Sequence, residues 1–204
     1  MNKGHIIIGN GGHSKLLIEI LQLSKENILG VTDIDSGVQN HQSNEIKVLG
    51  NDDVIFNFSN QEVHLINGLG QLPRKKTRMD IYNNFSTKGY FFPAIVHPSV
   101  IIGKNVDIKP GAQILAGTIL QHGSDIGENT IINTKTSIDH DSIVGNHCHI
   151  APGVTICGNV SIGENTFIGA GSVIINNINI GKDCLIAAGS VVYKDIDDNT
   201  EYRN

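Results

Sequence analysis

Between Ile138 and Gly153 the chain reads IDHDSIVGNHCHIAPG, with three histidines (His140, His147, His149) and two aspartates (Asp139, Asp141). A neutral imidazole beside a carboxylate is the usual acceptor for the proton that an amine or hydroxyl nucleophile must lose. Imidazoles that converge in space can instead hold a zinc ion. Which chemistry is open depends on where the backbone points each ring. The reactive inventory ends with Cys148, Cys157 and Cys184, an odd set without CxxC spacing, which points to reduced thiols.

The elements that must position these rings follow a six-residue period. From Ile102 to Val192 every sixth residue is aliphatic, and Val96 extends the series backwards. Four places after each comes a mostly small residue, such as Ala112, Ser124, Ser142, Cys148 and Cys184. Three places after each, Gly, Asn or Asp dominates, as at Gly117, Asn129, Asp141 and Asn165; these types tolerate positive φ, so the column predicts turns. A hexad period over this length predicts a parallel β-helix, three hexads to a coil, with residues 18 apart stacked at about 4.8 Å. Aliphatics fill the inside, Cys148 and Cys184 pack inward, and no loop interrupts the prism.

On that frame His140 falls two places after inward Ile138 and points outward at a corner, between Asp139 and Asp141. His140 as general base, oriented by Asp141, is one reading. Asp141 as a turn residue that needs no catalytic explanation is the other. His149 directly precedes inward Ile150 and lies on an outward face one corner later. His147 occupies the turn column and reads as an exposed corner residue. His122, 18 residues before His140, should stack beneath it and disfavour its protonation.

The first ninety residues read differently. A buried strand, GHIIIG (Gly4–Gly9), leads through a Gly-rich turn into NGGHSKLLIEILQL, whose Leu16, Leu17, Ile20, Leu21 and Leu23 form a helical stripe. A strand, a Gly-rich turn and a helix make an anion site, because the turn and helix amides point at a phosphate. A second strand near Ile28–Thr32 ends at Asp33, where a ribose- or base-binding carboxylate would sit. A third, EVHLING (Glu62–Gly68), precedes a helix opening near Pro73. The predicted fold is thus an α/β Rossmann-like domain (residues 1–90), an all-β parallel β-helix (91–195) and a short tail (196–204).

Composition bounds the function. Twenty acidic against fifteen basic residues give a net charge of −5, with no basic run suited to nucleic acid. No apolar stretch approaches the ~18 residues of a membrane span, and HIIIG is too short for a signal peptide core. A cytoplasmic protein is expected.

The hexads resemble the hexapeptide-repeat acyltransferases. GNGGHSK, VTDID, INGLGQLPRKK and FPAIVHPSV sharpen this to the NeuD/PglD-type sugar acyltransferases. The resemblance implies a left-handed β-helix, a homotrimer with sites between subunits, and acetyl-CoA as co-substrate. It implies acetylation of the amino group, at C4, of a nucleotide-linked amino sugar for bacterial surface glycans. By the same resemblance the diphosphate lies at Gly11, Gly12 and His13, the base or ribose near Asp33, and Gly68 along the same cleft. His140 is the base and Asp141 its partner; Asn133 lies near the sugar. His149 contacts the acetyl donor, and the Gly158 amide donates to the thioester carbonyl. Small residues outside the prism, Gly169 and Ala170 in one coil and Ala187 and Ala188 in the next, leave room for the pantetheine arm. Two features depart from the family pattern: Ile34 follows Asp33 where a second acid is common, and the chain lacks a G-x-P-A-like C-terminal segment. The competing functions are O-acetylation of a sialic-acid-like sugar, a zinc-dependent hydratase of the γ-carbonic-anhydrase kind, and a non-catalytic sugar-nucleotide binder.

Overall fold

A computed structural model describes residues 3–34 and 46–204. Two compact units emerge: Met1–Gly70 with Thr77–Pro93, and Gln71–Lys76 with Ala94–Asn204.

In the first unit β1 (Gly4–Ile8), α1 (Gly12–Leu23), β2 (Ile28–Thr32), β3 (Val48–Gly50), β4 (Val63–Asn67) and α2 (Thr77–Ser86) follow in order. The strands form one parallel sheet in the order β3-β2-β1-β4. Chain direction across the sheet reverses at β1/β4, so the carboxyl ends of these two strands form the crevice where such sheets bind ligands. Ile6, Ile8, Leu65, Tyr82, Phe85 and Phe92 pack one core on this sheet.

Three expectations need correction here. The short edge strand β3 was not predicted, having only three residues and an exposed Val48. On α1, Leu17, Ile18, Ile20 and Leu21 are buried, whereas Leu16 and Leu23 are exposed; the buried face is rotated toward Ile18. The second helix begins at Thr77 and not near Pro73. Arg74 adopts φ 59°, which no helix accepts. Its Nη2 donates to Glu201 Oε2 at 2.6 Å, and Lys76 Nζ lies 3.8 Å from Asp183, so this segment folds with the second unit.

The second unit is a parallel β-solenoid whose two-residue strands stack into three sheets of five, seven and six strands. We name them face one (Asp107–Ile108 to Asn179–Ile180), face two (Ile95–Val96 to Glu201–Tyr202) and face three (Ile101–Ile102 to Val191–Val192). Strands pair in register 18 residues apart, as in His149 opposite Ile131 and Phe167. The inward aliphatic column is fully buried from Ile114 onward, each side chain removing about 1.5–3 kcal/mol worth of apolar surface from water. The turn column has positive φ at every sixth residue from Asn105 through Asp141 and His147 to Gly189.

The small inward column does more than pack. Thr130 Oγ1 donates to Gly145 O at 2.7 Å, Ser142 Oγ to Cys157 O at 3.0 Å and Cys148 Sγ to Gly163 O at 3.1 Å, each reaching a corner carbonyl 15 residues on. These bonds give partly buried corner carbonyls a partner from the neighbouring coil.

Residues 196–204, expected as a tail, close the prism. Glu201–Tyr202 adds a strand beside Leu185–Ile186, and Ile196 and Tyr202 join the core. Asp195 and Asp198 carboxylates accept from the Asn179 and Lys182 amides, capping the exposed edge of face one. Among the described residues no helix is long and apolar enough to cross a membrane.

Candidate active site

At the corner between faces three and one, the His140 ring is set by its neighbours on both sides. The Asp139 carboxylate accepts the His140 main-chain amide at 2.8 Å, fixing the turn. His140 Nδ1 lies 2.9 Å from Asp141 Oδ2. A carboxylate can only accept, so Nδ1 carries the hydrogen and Nε2 is left as the basic atom. The hydrogen bond to Asp141, helped by the charge of Asp139, holds the imidazole pKa above its ordinary value. Both side chains are exposed, at 59% and 63%. Asp141 itself has φ 57°, so its place in the turn and its contact with the ring come from one residue.

One coil on, Gly158 lies against this ring: a Cβ there would stand 2.6 Å from Nε2 and 2.7 Å from Cε1. Beside the corner, a groove of about 230 Å³ crosses face three, lined by Ile119, Gln121, Ser137, Asp139, Thr155 and Cys157. Its lining includes Asp139 and Cys157, the residues directly before His140 and Gly158. The sequence reading did not anticipate it; the 18-residue alignment of Gln121, Asp139 and Cys157 was the available signal.

The other expected residues of this unit fall elsewhere. Asn133, Gly169 and Ala187 stack at the corner between faces two and three, with Ala170 and Ala188 exposed beside them. Gly169 is needed there because a Cβ would meet the Ala188 amide nitrogen at 2.4 Å. One chain therefore holds the His140 set and the small-residue set at different corners.

His149 keeps its expected outward place but is enclosed by a neighbour. It projects outward from face two but is only 8% exposed, its ring stacked on Phe167 with centroids 4.6 Å apart and planes at 4°. His147 is half-buried, with Nδ1 3.0 Å from Asn129 Nδ2, a corner ladder in place of the exposed residue expected. His122 is exposed, and among the described residues it makes no ring contact with His140 and is absent from the groups that shift it. The strand register aligns their Cα atoms but leaves the outward side chains free to diverge. Among the described residues no cluster of three His, Cys, Asp or Glu could hold a metal.

Cys148 and Cys184 are buried, and burial pushes the Cys148 thiol up to about 12. Neither is a nucleophile at neutral pH.

In the first unit the β1/β4 crevice gathers Gly11, Gly12, His13 and Gly68. Helix α1 starts at Gly12 with no side-chain cap and no acid in its first turn, so its amide end carries no built-in anion. Ser14 Oγ folds back onto Gly11 O at 2.6 Å. At Gly68 a Cβ would meet Ile8 O at 2.6 Å and Ser14 Cβ at 2.9 Å, so only glycine brings the two loops together. Asp33 follows β2, its amide bonded to Gly50 O at 2.9 Å. Thr32, which sequence reasoning passed over, is fully buried; its hydroxyl accepts from the Gly9 amide at 3.3 Å and donates to Asp52 Oδ1 at 2.5 Å.

Comparison with known proteins adds to this geometry. The family description "PglD N-terminal domain" matches residues 6–85, and "bacterial transferase hexapeptide (six repeats)" matches residues 123–158 and 159–194. No curated protein sequence matches the chain. PerB from Caulobacter crescentus, solved with CoA and GDP-perosamine, is 31% identical over 97% of this chain and 92% of its own, with a TM-score of 0.86. A histidine-to-asparagine variant of perosamine N-acetyltransferase from the same organism, also with CoA and GDP-perosamine, is 29% identical over 98% and 93%, with a TM-score of 0.88. The acetyltransferase domain of PglB from Neisseria gonorrhoeae FA1090, solved with acetyl coenzyme A, is 26% identical over 98% and 96%, with a TM-score of 0.88. What this chain has in common with them is an α/β region followed by a left-handed parallel β-helix.

Proposed function

The chain belongs to the PglD-type sugar acyltransferases built on hexapeptide repeats, and from that premise we propose that it acetylates the C4 amino group of a nucleotide-linked amino sugar, with acetyl-CoA as donor. The observation that carries the reading is the His140–Asp141 pair, 2.9 Å apart, with the imidazole lying against Gly158 in the room its missing side chain leaves.

The chemistry follows from that orientation. The sugar amine attacks the thioester carbonyl carbon, and its proton passes to His140 Nε2. Asp141 stabilises the imidazolium that forms, and its hydrogen bond keeps the ring in the tautomer that can accept. The Gly158 main-chain N–H is the donor for the oxyanion of the tetrahedral intermediate. Collapse breaks the C–S bond, and the coenzyme A sulfur leaves with the proton that His140 returns. In this reading transfer is direct, the amine itself attacking the thioester; Cys148, the cysteine nearest to His140 in sequence, is buried with its thiol pushed up to about 12.

Acetyl-CoA fits the small-residue corner in chemical terms: Gly169, Ala170, Ala187 and Ala188 keep it clear of bulky side chains, although the Gly169 and Ala187 amides already donate to Ile186 O and Tyr202 O. His149, on the adjoining face, is the further donor-side contact. Because this corner and His140 lie at different edges of one prism, a site that uses both draws them from two chains, which supports a homotrimer. In the first unit Gly11, Gly12 and His13 hold the diphosphate at the start of α1, Gly68 opens the crevice, and Asp33 meets the ribose or base. Asn133 contacts the sugar. Acetyl-CoA and nucleotide sugars as substrates put the reaction in the cytoplasm.

The test is CoA release from acetyl-CoA against a panel of UDP-, dTDP- and GDP-linked 4-amino sugars, with free sialic acid alongside, for wild type and His140→Ala. Turnover on one nucleotide-linked amino sugar that is lost in the variant is the expected result. Turnover only on free sialic acid would replace the reading by O-acetylation, and no turnover on any sugar would end it.

A further inference from the structure

The first unit buries an arginine that the transfer chemistry does not use. Arg78, the second residue of α2, is 3% exposed, and burial pulls its pKa down to about 9. It remains charged at neutral pH, inside a core where an apolar side chain of similar volume would commonly serve stability as well or better. Such a group calls for a reason other than packing.

Its hydrogen bonds supply one. Nη1 donates to Asn67 O at 2.8 Å and to Leu69 O at 2.6 Å, the carbonyls on either side of Gly68. Asn67 Nδ2 returns a bond to Arg78 O at 2.9 Å, so the end of β4 and the start of α2 are tied in both directions. Asn67 Oδ1 also accepts the Leu69 amide at 3.4 Å. Gly68 N in turn donates to Ile8 O at 2.9 Å, so what holds the 67–69 loop also sets its distance from the β1 turn. This loop is the β4 wall of the crevice. Displacing a binding wall by about 1 Å can cost on the order of 10²-fold in a rate, and loops without such a tie are the mobile parts of a fold.

We infer that Arg78 is a positioning residue for nucleotide recognition: its guanidinium clamps the Asn67–Leu69 wall at the spacing a nucleoside diphosphate needs. The inference rests on the reading of the β1/β4 crevice as the nucleotide site. Arg78 touches no substrate in this scheme; it acts through the main chain it holds.

The experiment is calorimetric titration of the full-length protein with GDP, UDP and dTDP, and separately with CoA, for wild type, Arg78→Met, Arg78→Lys and Asn67→Ala. For the diphosphate that wild type binds, Arg78→Met should weaken affinity tenfold or more while CoA affinity stays within twofold. Arg78→Lys, which keeps the charge and the donors on a shorter stem without the planar fork, should fall between wild type and Arg78→Met. Should Arg78→Met not fold, Asn67→Ala, which removes the return bond and the acceptor of the Leu69 amide but keeps the guanidinium, should still weaken the diphosphate threefold or more and leave CoA unchanged. Unchanged diphosphate affinity in the folded variants would overturn the clamp alone, as would a parallel loss of CoA affinity. If wild type binds none of the three diphosphates, the crevice reading falls first and the clamp falls with it.

Discussion

The His140 ring and Gly158 are in contact across one coil of the β-helix, so closely that a methyl group on Gly158 would stand 2.6 Å from Nε2. Gly158 is not at positive φ, so its role here is space and not backbone freedom. Gly158→Ala should therefore leave the melting temperature nearly unchanged, because the exposed His140 ring can swing away. It should lower kcat/KM on the order of 10²-fold by moving the base. Steady-state rates and a thermal melt on one preparation check both halves.

The raised pKa of His140 sets a pH dependence with a definite sign. The base works unprotonated, so activity falls as pH drops through a pKa above the ordinary 6.5. Asp141→Asn removes the largest contribution to that shift, so the acid limb of the kcat/KM profile should move to lower pH while the plateau falls. Asn tolerates the left-handed backbone at this turn, so stability should hold. Asp141→Ala should add a loss of about 1–2 kcal/mol from the φ of 57°. His140→Ala should cost about 10²–10⁴-fold in kcat.

Thiol titration separates the three cysteines. In the native protein an aromatic disulfide reagent should modify one thiol, Cys157, which is partly exposed in the groove. Cys148, pushed up to about 12 by burial, and Cys184 should react only on denaturation. Acetyl-CoA should slow the Cys157 reaction if the groove beside His140 is part of the donor site.

Ile138, fully buried behind the His140 corner, carries a stability prediction. Ile138→Ala should destabilise the second unit by about 2–5 kcal/mol, read from chemical denaturation. Loss of activity at permissive temperature should be modest, because the corner backbone is also held by the Ser142 and Ser124 hydroxyl bonds to Cys157 O and Asp139 O.

By itself the sequence determined the β-helix, its inward column, its turn column and the outward placing of His140 next to Asp141. Those features repeat every six residues, so each is fixed by local backbone geometry and a burial pattern that one period expresses many times over. The Gly-rich start of α1 was legible for the same reason: strand, turn and helix are adjacent in the chain. Only the tertiary structure decided what depends on contacts without a local signature. His149 faces outward as its position dictates, yet its stacking on Phe167 buries it. His122 and His140 share a column yet do not meet, because register aligns backbones and leaves outward rotamers open. Residues Gln71–Lys76 leave the helical pattern because Arg74 and Lys76 find Glu201 and Asp183 more than a hundred residues away. Nothing in the sequence around Arg78 marks it off from any other charged residue. Its guanidinium is buried because two carbonyls of the crevice wall turn toward it, and no spacing in the sequence records which way a carbonyl will point.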